Sequence, residues 1–166
     1  MFAKNANLAV SQTMEATTQV EILFRSYNTI LEQEVAETIW ADVVDEDLNY
    51  YKLYSIPLYT TGIASDDVVR AEWDDEEVML TYRETITASG NSTVWVVVVD
   101  DDTDIEELRK DFFELDCLSE ALSNRYFAME VKASTNYLQI KNKLITLKAQ
   151  KLIDYVEPCL SDKHQY

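Results

Sequence analysis

The chain has 166 residues, with 47% apolar and 27% charged content and only 2 Gly and 2 Pro. That is the composition of one globular domain, not of a low-complexity or loop-built chain. The 31 acidic and 14 basic residues give a net charge of −17, which repels a polyanion and argues against direct binding of DNA or RNA.

Residues 1–18 lack periodicity and read as a flexible leader, with no h-region of a signal peptide. Val20–Phe24 is apolar and β-favouring. Thr38–Val44 and Leu48–Ile56 form a hairpin around the acidic turn Asp45-Glu46-Asp47. Pro57 ends that strand, because proline donates no ladder hydrogen bond. Gly62–Asp67 reads as a loop into the strand Val68–Trp73. A second acidic turn, Asp74-Asp75-Glu76-Glu77, leads into Val78–Ala88, where Val78, Leu80 and Tyr82 share one face. After the turn Ser89–Ser92, the run Thr93–Val99 is expected as a central strand buried on both faces. Its six consecutive apolar residues, Val94–Val99, are far too few to span a membrane.

Helical spacing then begins. Ile105, Leu108, Phe112 and Leu115 recur at turns of a helix, and Thr103 with Glu106 has capping-box spacing. Ala121–Val131 reads as one strand. Tyr137, Ile140, Leu144, Leu147 and Leu152 mark a second amphipathic helix, capped by Ser134 or Thr135. Ile153–Leu160 is a final short strand or tail. The expected class is α+β. Residues 19–92 form an antiparallel β-rich half, a small sheet or partly open barrel. Residues 93–162 form a ferredoxin-like βαβαβ half packed against it as one compact unit.

Charge is unevenly placed. Leu31–Glu130 holds 26 acidic and 6 basic residues, whereas Val131–Lys151 holds 5 basic and no acidic ones. Three acidic clusters stand out: Asp45-Glu46-Asp47, Asp74-Asp75-Glu76-Glu77, and Asp100-Asp101-Asp102 with Asp104. Turns favour Asp for local hydrogen bonding, yet such density costs self-repulsion and suits a basic partner. Trp40, Trp73 and Trp95 fall in strands and read as core. Trp73 is the exception to watch, because it adjoins an acidic turn where an exposed indole would meet Arg or Lys.

Catalytic and metal signals are thin. His164, the single histidine, lies near the C-terminus and is expected to fray, which weighs against a Ser-His-Asp device. No Gly-rich phosphate loop is present. Asp100–Asp104 lacks the Gly of a calcium loop, so no metal or cofactor is expected. Cys117 and Cys159 have no metal spacing and read as reduced thiols.

Thr38-x-Trp40-Ala41, Tyr51-x-Leu53-x-x-Ile56-Pro57-Leu58, Gly62–Glu72, Ser89–Val94 and Glu157-x-Cys159-Leu160-Ser161-Asp162 stand in one order. In that order and spacing they resemble a bacterial family of single-domain proteins, domain of unknown function 4265, over residues 20–162. The Gly62–Glu72 block is the most specific part. Asn91 stands where the family often has His after the Ser-Gly turn. The resemblance implies a bacterial, cytoplasmic protein and no particular activity.

The leading expectation is a small acidic cytoplasmic binding protein and not an enzyme. It would be an immunity- or antitoxin-like inhibitor covering the basic surface or active site of a toxin such as a nuclease. Its contact residues would be Asp45, Glu46, Asp47, Trp73, Asp74, Asp75, Glu76, Glu77, Asp100, Asp101 and Asp102. The alternative is an enzyme or small-ligand binder with a pocket between the halves. Self-association through the basic helix 137–152 is a third reading.

Overall fold

A computed structural model describes residues 18–165. The expected leader lies outside the described residues except for Thr18, whose carbonyl accepts the Val43 N–H at 3.1 Å.

The chain is α+β, mostly antiparallel β with two helices. The first five strands are β1 (Gln19–Asn28), β2 (Gln33–Asp45), β3 (Tyr50–Leu53), β4 (Val68–Asp74) and β5 (Met79–Thr87), and they close into a barrel in that order. Closure is complete, where a sheet or partly open barrel was expected. A short parallel ladder joins β1 to β5, pairing Ile22 with Leu80 and Leu23 with Thr81. Alternation places Ile22, Phe24, Ile39, Ala41, Leu53, Val69 and Ala71 inside. Trp40 takes the outward position between Ile39 and Ala41 and is exposed, contrary to its reading as core. β2 begins well before Thr38 because it pairs with β1 along its whole length.

The second half runs β6 (Ser92–Val98), α1 (Ile105–Phe113), β7 (Cys117–Ser123), β8 (Tyr126–Val131), α2 (Tyr137–Ala149) and β9 (Ile153–Cys159), then a 3-10 turn at Asp162–His164. Its strands form an antiparallel sheet ordered β7-β8-β6-β9. The expected βαβαβ run is therefore one strand short. Residues 121–131 are not one strand but most of a hairpin, turning at Asn124-Arg125 without the Gly that would have announced it.

Two caps also differ. Asp104, not Thr103, caps α1, its Oδ1 accepting the Glu106 N–H at 2.8 Å. Thr103 instead donates its hydroxyl to Asp100. Asn136, not Ser134 or Thr135, caps α2 by accepting the Leu138 N–H.

The helices cover one face of the sheet. Between them lie Val94, Val96, Val98, Leu108, Phe112, Phe127, Met129, Ile140 and Leu144. β6 is central and buried on both faces over most of its length, with Thr93 and Trp95 covered on the face away from the helices; only Val97 on that face is exposed. No helix among the described residues is long and apolar enough to cross a membrane.

Candidate functional site

The two acidic hairpin turns share one end of the barrel. β2 and β4 run the same way because each is antiparallel to β3. The turns that follow them, Glu46–Asn49 and Asp75–Val78, therefore leave from the same end. Parts of both turns are structural. Asp45 Oδ1 accepts the Leu48 N–H, and Asp74 Oδ1 accepts the N–H groups of Glu76 and Glu77. Arg83 pairs with Asp74 and Arg25 with Glu77. These backbone and Arg83 contacts hold the Asp74 carboxyl below its usual range. Glu46, Asp47, Asp75 and Glu76 make no ion pair among the described residues.

Apolar side chains lie exposed among these carboxylates. Trp73 continues the inward register of Val69 and Ala71, but at the end of the barrel it is 59% exposed, and its Nε1 donates to Asp75. Val78 in the same hairpin and Leu48 in the other acidic turn are also exposed. Val78 also holds φ at +57°, a left-handed conformation that β-branched residues rarely adopt.

The third acidic cluster belongs to the β6–α1 connection, outside the barrel. Asp101 pairs with Arg125, Asp100 accepts from Thr103, and Asp102 makes no ion pair among the described residues. The structure thus joins the first two predicted clusters and leaves the third on the other sheet.

A loop longer than the expected Gly62–Asp67, beginning after β3 ends at Leu53, organises the seam. Residues 54–67 form a closed loop, because the Leu53 N–H donates to Asp67 and the Asp66 N–H donates back to Leu53, each at 2.9 Å. The loop lies on the helix-free face of the second sheet. Ile56 and Leu58 pack with Trp95 and Ala128. Trp95 Nε1 donates to the Pro57 carbonyl at 3.0 Å, and the Tyr126 hydroxyl donates to that of Leu58. From the barrel, Glu37 accepts the backbone N–H groups of Leu58, Tyr59 and Thr60 and the Thr60 hydroxyl. Asp67 accepts the Ala64 and Ser89 N–H groups.

The Gly62–Glu72 block meets the second sheet in a polar cluster. The Ser65 hydroxyl donates to Glu130, which is 5% exposed. Lys132 Nζ donates to Asp66 Oδ2 at 2.6 Å and stands 3.0 Å from Glu130 Oε1. Lys52 flanks Asp66 from the barrel. Burial raises the Asp66 carboxyl pKa, but Lys132 and Lys52 outweigh it and hold the value low. Asn91 donates to the Ser65 carbonyl and accepts the Ala133 N–H, so it ties the two halves.

Beside this cluster a cleft of about 640 Å³ opens between α1, β7 and the 54–67 loop. Glu120, Glu130 and Lys132 line it, with Tyr54, Phe113 and Leu118 at its exposed parts. Burial raises the Glu120 pKa. Sequence reasoning missed these residues. The available signal was Glu130, an acid inside the apolar run Tyr126–Val131.

His164 is not frayed. It is 1% exposed, packs at a tilt against the Tyr137 ring, and its Nδ1 lies 2.7 Å from Ser92 Oγ. Ser92 is fully buried and its Oγ also accepts the Ser161 N–H, so the pair straps down the C-terminal turn and has no solvent face for a substrate. Cys117 and Cys159 are free thiols, pushed by burial up to about 12 and about 11 respectively. Such thiols are poor nucleophiles at neutral pH. The α2 lysines are spent inside the chain: Lys141 on Glu157, Lys143 on Asp111 and Lys148 on Asp154.

The profile of a domain of unknown function (DUF4265) matches residues 37–155. The chain belongs to this family. The match takes in both acidic barrel turns, the 54–67 loop and the cleft. A crystal structure of a hypothetical protein from Neisseria gonorrhoeae is similar, with a TM-score of 0.74 and 22% identity over 87% of this chain and 96% of that one. That likeness concerns the fold alone. No curated protein matches the chain.

Proposed function

We propose that this DUF4265 protein is a small acidic cytoplasmic binding protein, an immunity- or antitoxin-like inhibitor whose barrel end covers a basic surface of a toxin partner. The observation that carries the reading is the meeting of two acidic turns at one barrel end around the exposed Trp73, Leu48 and Val78. Carboxylates around an exposed indole suit Arg and Lys, whose stems pack on apolar surface while their charged heads meet acids. Asp47, Asp75 and Glu76, which have no ion pair among the described residues, would supply steering. Trp73 would supply the buried anchor. Asp100, Asp101 and Asp102 would add to the field without joining this face. We read the second half as a split-βαβ, ferredoxin-like unit that carries the barrel, since β7 and β9 flank the β8-β6 pair.

The test is capture from lysate of the source bacterium on immobilised full chain at low salt, with elution by a salt step. The expected result is one basic protein in stoichiometric amount, lost when Asp75, Glu76 and Glu77 are made Asn, Gln and Gln. Recovery of no salt-eluted protein, or capture that the triple variant retains, overturns the reading.

A further inference from the structure

The β1–β2 turn lies at the opposite end of the barrel from the acidic turns, because β2 leads from the one to the other. Between that turn and the helix-free face of the second sheet runs an apolar groove of about 550 Å³, a volume in the range of binding sites. Its barrel wall is fixed by one side chain. Asn28 is fully buried, and its Oδ1 accepts the N–H groups of Ile30 and Leu31 at 2.9 Å each. Its Nδ2 donates to the Tyr59 carbonyl at 2.6 Å. Asn28 therefore holds both the turn and the loop residue that line the groove. Trp95, Tyr126 and Val156 line it from the sheet. The indole N–H and the Tyr126 hydroxyl are already turned to the Pro57 and Leu58 carbonyls, so these rings present apolar surface to an occupant.

Ile30, Leu31, Val97, Val99 and Leu122 line the same groove and are each 41–50% exposed. Large apolar side chains exposed together mark an interaction site. The rim charge selects the occupant. Glu32 follows Leu31, and Asp100 and Asp102 follow Val99; none of the three has an ion pair among the described residues. Of the cations at this end, Lys148 is committed to Asp154 and Arg125 to Asp101. Lys151, beside the Leu152 carbonyl that accepts the Val99 N–H, has no ion pair. The rim is therefore acidic on balance. A second copy of the chain would set these acids against their own kind, at a cost in repulsion. An apolar segment that carries Lys or Arg meets the walls with its side chains and the rim with its charges.

We propose that this groove binds a short amphipathic segment of a partner protein, its apolar side chains in the groove and its Lys or Arg residues against Glu32, Asp100 and Asp102. The site is separate from the barrel end, and neither reading depends on the other.

Titration of the full chain with a dye-labelled amphipathic peptide of Leu and Lys at helical period, read by fluorescence anisotropy, tests the groove. Two control peptides carry Gln for every Leu, or Glu for every Lys. The Leu/Lys peptide should bind saturably and at least about tenfold tighter than the Gln/Lys peptide, and the Leu/Glu peptide should not bind. Val97→Thr with Leu122→Gln, both exposed positions, should keep the urea midpoint and weaken the Leu/Lys peptide about tenfold. Glu32→Gln should weaken it several-fold at low salt and much less at high salt. Asp75→Asn with Glu76→Gln at the barrel end should leave it unchanged. Equal affinity for the Leu/Lys and Gln/Lys peptides would overturn the proposal, because it would show only that a chain of charge −17 attracts cations. Undiminished binding by the groove variant, or no saturable binding up to about 1 mM, would overturn it as well. Binding lost only in the barrel-end variant would overturn it and place the peptide at the barrel end. A parent chain that sediments as a dimer, with the groove variant a monomer, would overturn it by giving the groove to a second copy.

Discussion

Between Gln19 and Asn91 the chain carries 16 acidic and 4 basic residues, while from Ser92 to Tyr166 it carries 14 and 9. The barrel's cations are all committed: Arg25 to Glu77, Lys52 to Asp66, Arg70 to Glu72 and Glu84, Arg83 to Glu72 and Asp74. Part of its surplus of carboxylates, Glu46, Asp47, Asp75 and Glu76, makes no ion pair among the described residues and lies at one end, while Glu32 and Glu34 lie by the β1–β2 turn at the other. The sheet half spends its extra lysines on its own acids and encloses the larger apolar cluster. One half keeps charge and apolar surface in reserve at its rim, and the other offsets more of its charge, with 14 acidic against 9 basic residues, and holds the frame. This division is what the following substitutions probe.

The largest effects should come from the two cores. Phe24 in the barrel is 1% exposed and stacks on Tyr82, and Phe127 in the sheet is fully buried against Phe112. Truncating either to Ala should cost about 3–5 kcal/mol. If the 54–67 loop welds barrel and sheet into one unit, both variants will shift a single urea transition. Two separated transitions in either variant would divide the molecule at the seam.

The seam comes next. Glu37 accepts three backbone N–H groups and one hydroxyl from the loop. Glu37→Ala strands these donors and should cost about 2–3 kcal/mol. A loss below about 0.5 kcal/mol, the size of an ordinary surface change, would mean that water replaces the carboxylate and the weld lies elsewhere.

Val78 should act in the opposite direction. Its left-handed backbone at an exposed tip costs on the order of 1 kcal/mol relative to Gly. Val78→Gly should therefore raise the unfolding midpoint. If the same variant captures partner less well, the strain and the exposed side chain belong to the binding face.

How much of this was readable follows from where each signal lives. Alternation picked out Leu80 and Tyr82, which pack on the barrel core, but wrongly added Val78, which lies in the exposed turn; the 3.6-residue period gave both helices, because burial imposes those periods locally. The acidic turns were visible as composition. That Asp45–Asp47 and Asp74–Glu77 meet at one end depends on strand direction around a closed barrel, which no local pattern carries. Glu130 and Glu120 are ten residues apart in sequence and become neighbours only through a hairpin whose Asn124-Arg125 turn lacks glycine. His164 was misread because nearness to a terminus usually means fraying. Here Ser92, distant in sequence, supplies the partner that buries it.

That burial has a pH consequence. Burial lowers the pKa of His164 from its ordinary 6.5. The unfolded chain then takes up this proton at higher pH than the native one, so stability is intact above about pH 6.5 and falls as the pH drops toward the lower native value. In His164→Gln the loss of stability on acidification across that window should shrink, read as the urea midpoint at about pH 7.5 and pH 5.5, because the raised Glu120 carboxyl that remains acts in the opposite sense. The paired carboxylates of Asp66, Asp74 and Asp154 have native pKa values below 3.8 and add their own loss only in stronger acid. A slope unchanged in the variant would move the effect away from His164.

The smallest expected effect on stability is the one that most sharpens the contrast between the halves. Glu76 is exposed and has no ion pair among the described residues, whereas the neighbouring Asp74 holds the turn through two N–H groups and Arg83. Glu76→Gln should leave the unfolding midpoint within about 0.5 kcal/mol of the parent, while Asp74→Ala should cost about 1 kcal/mol or more through the lost turn bonds. On partner capture the order should reverse in kind. Asp74→Ala should weaken binding through disorder of the turn, at all salt concentrations alike. Glu76→Gln should slow association at low salt and lose its effect as salt screens the rim. A Glu76→Gln variant that matches the parent in association rate at low salt would reduce the barrel end to a solvated turn.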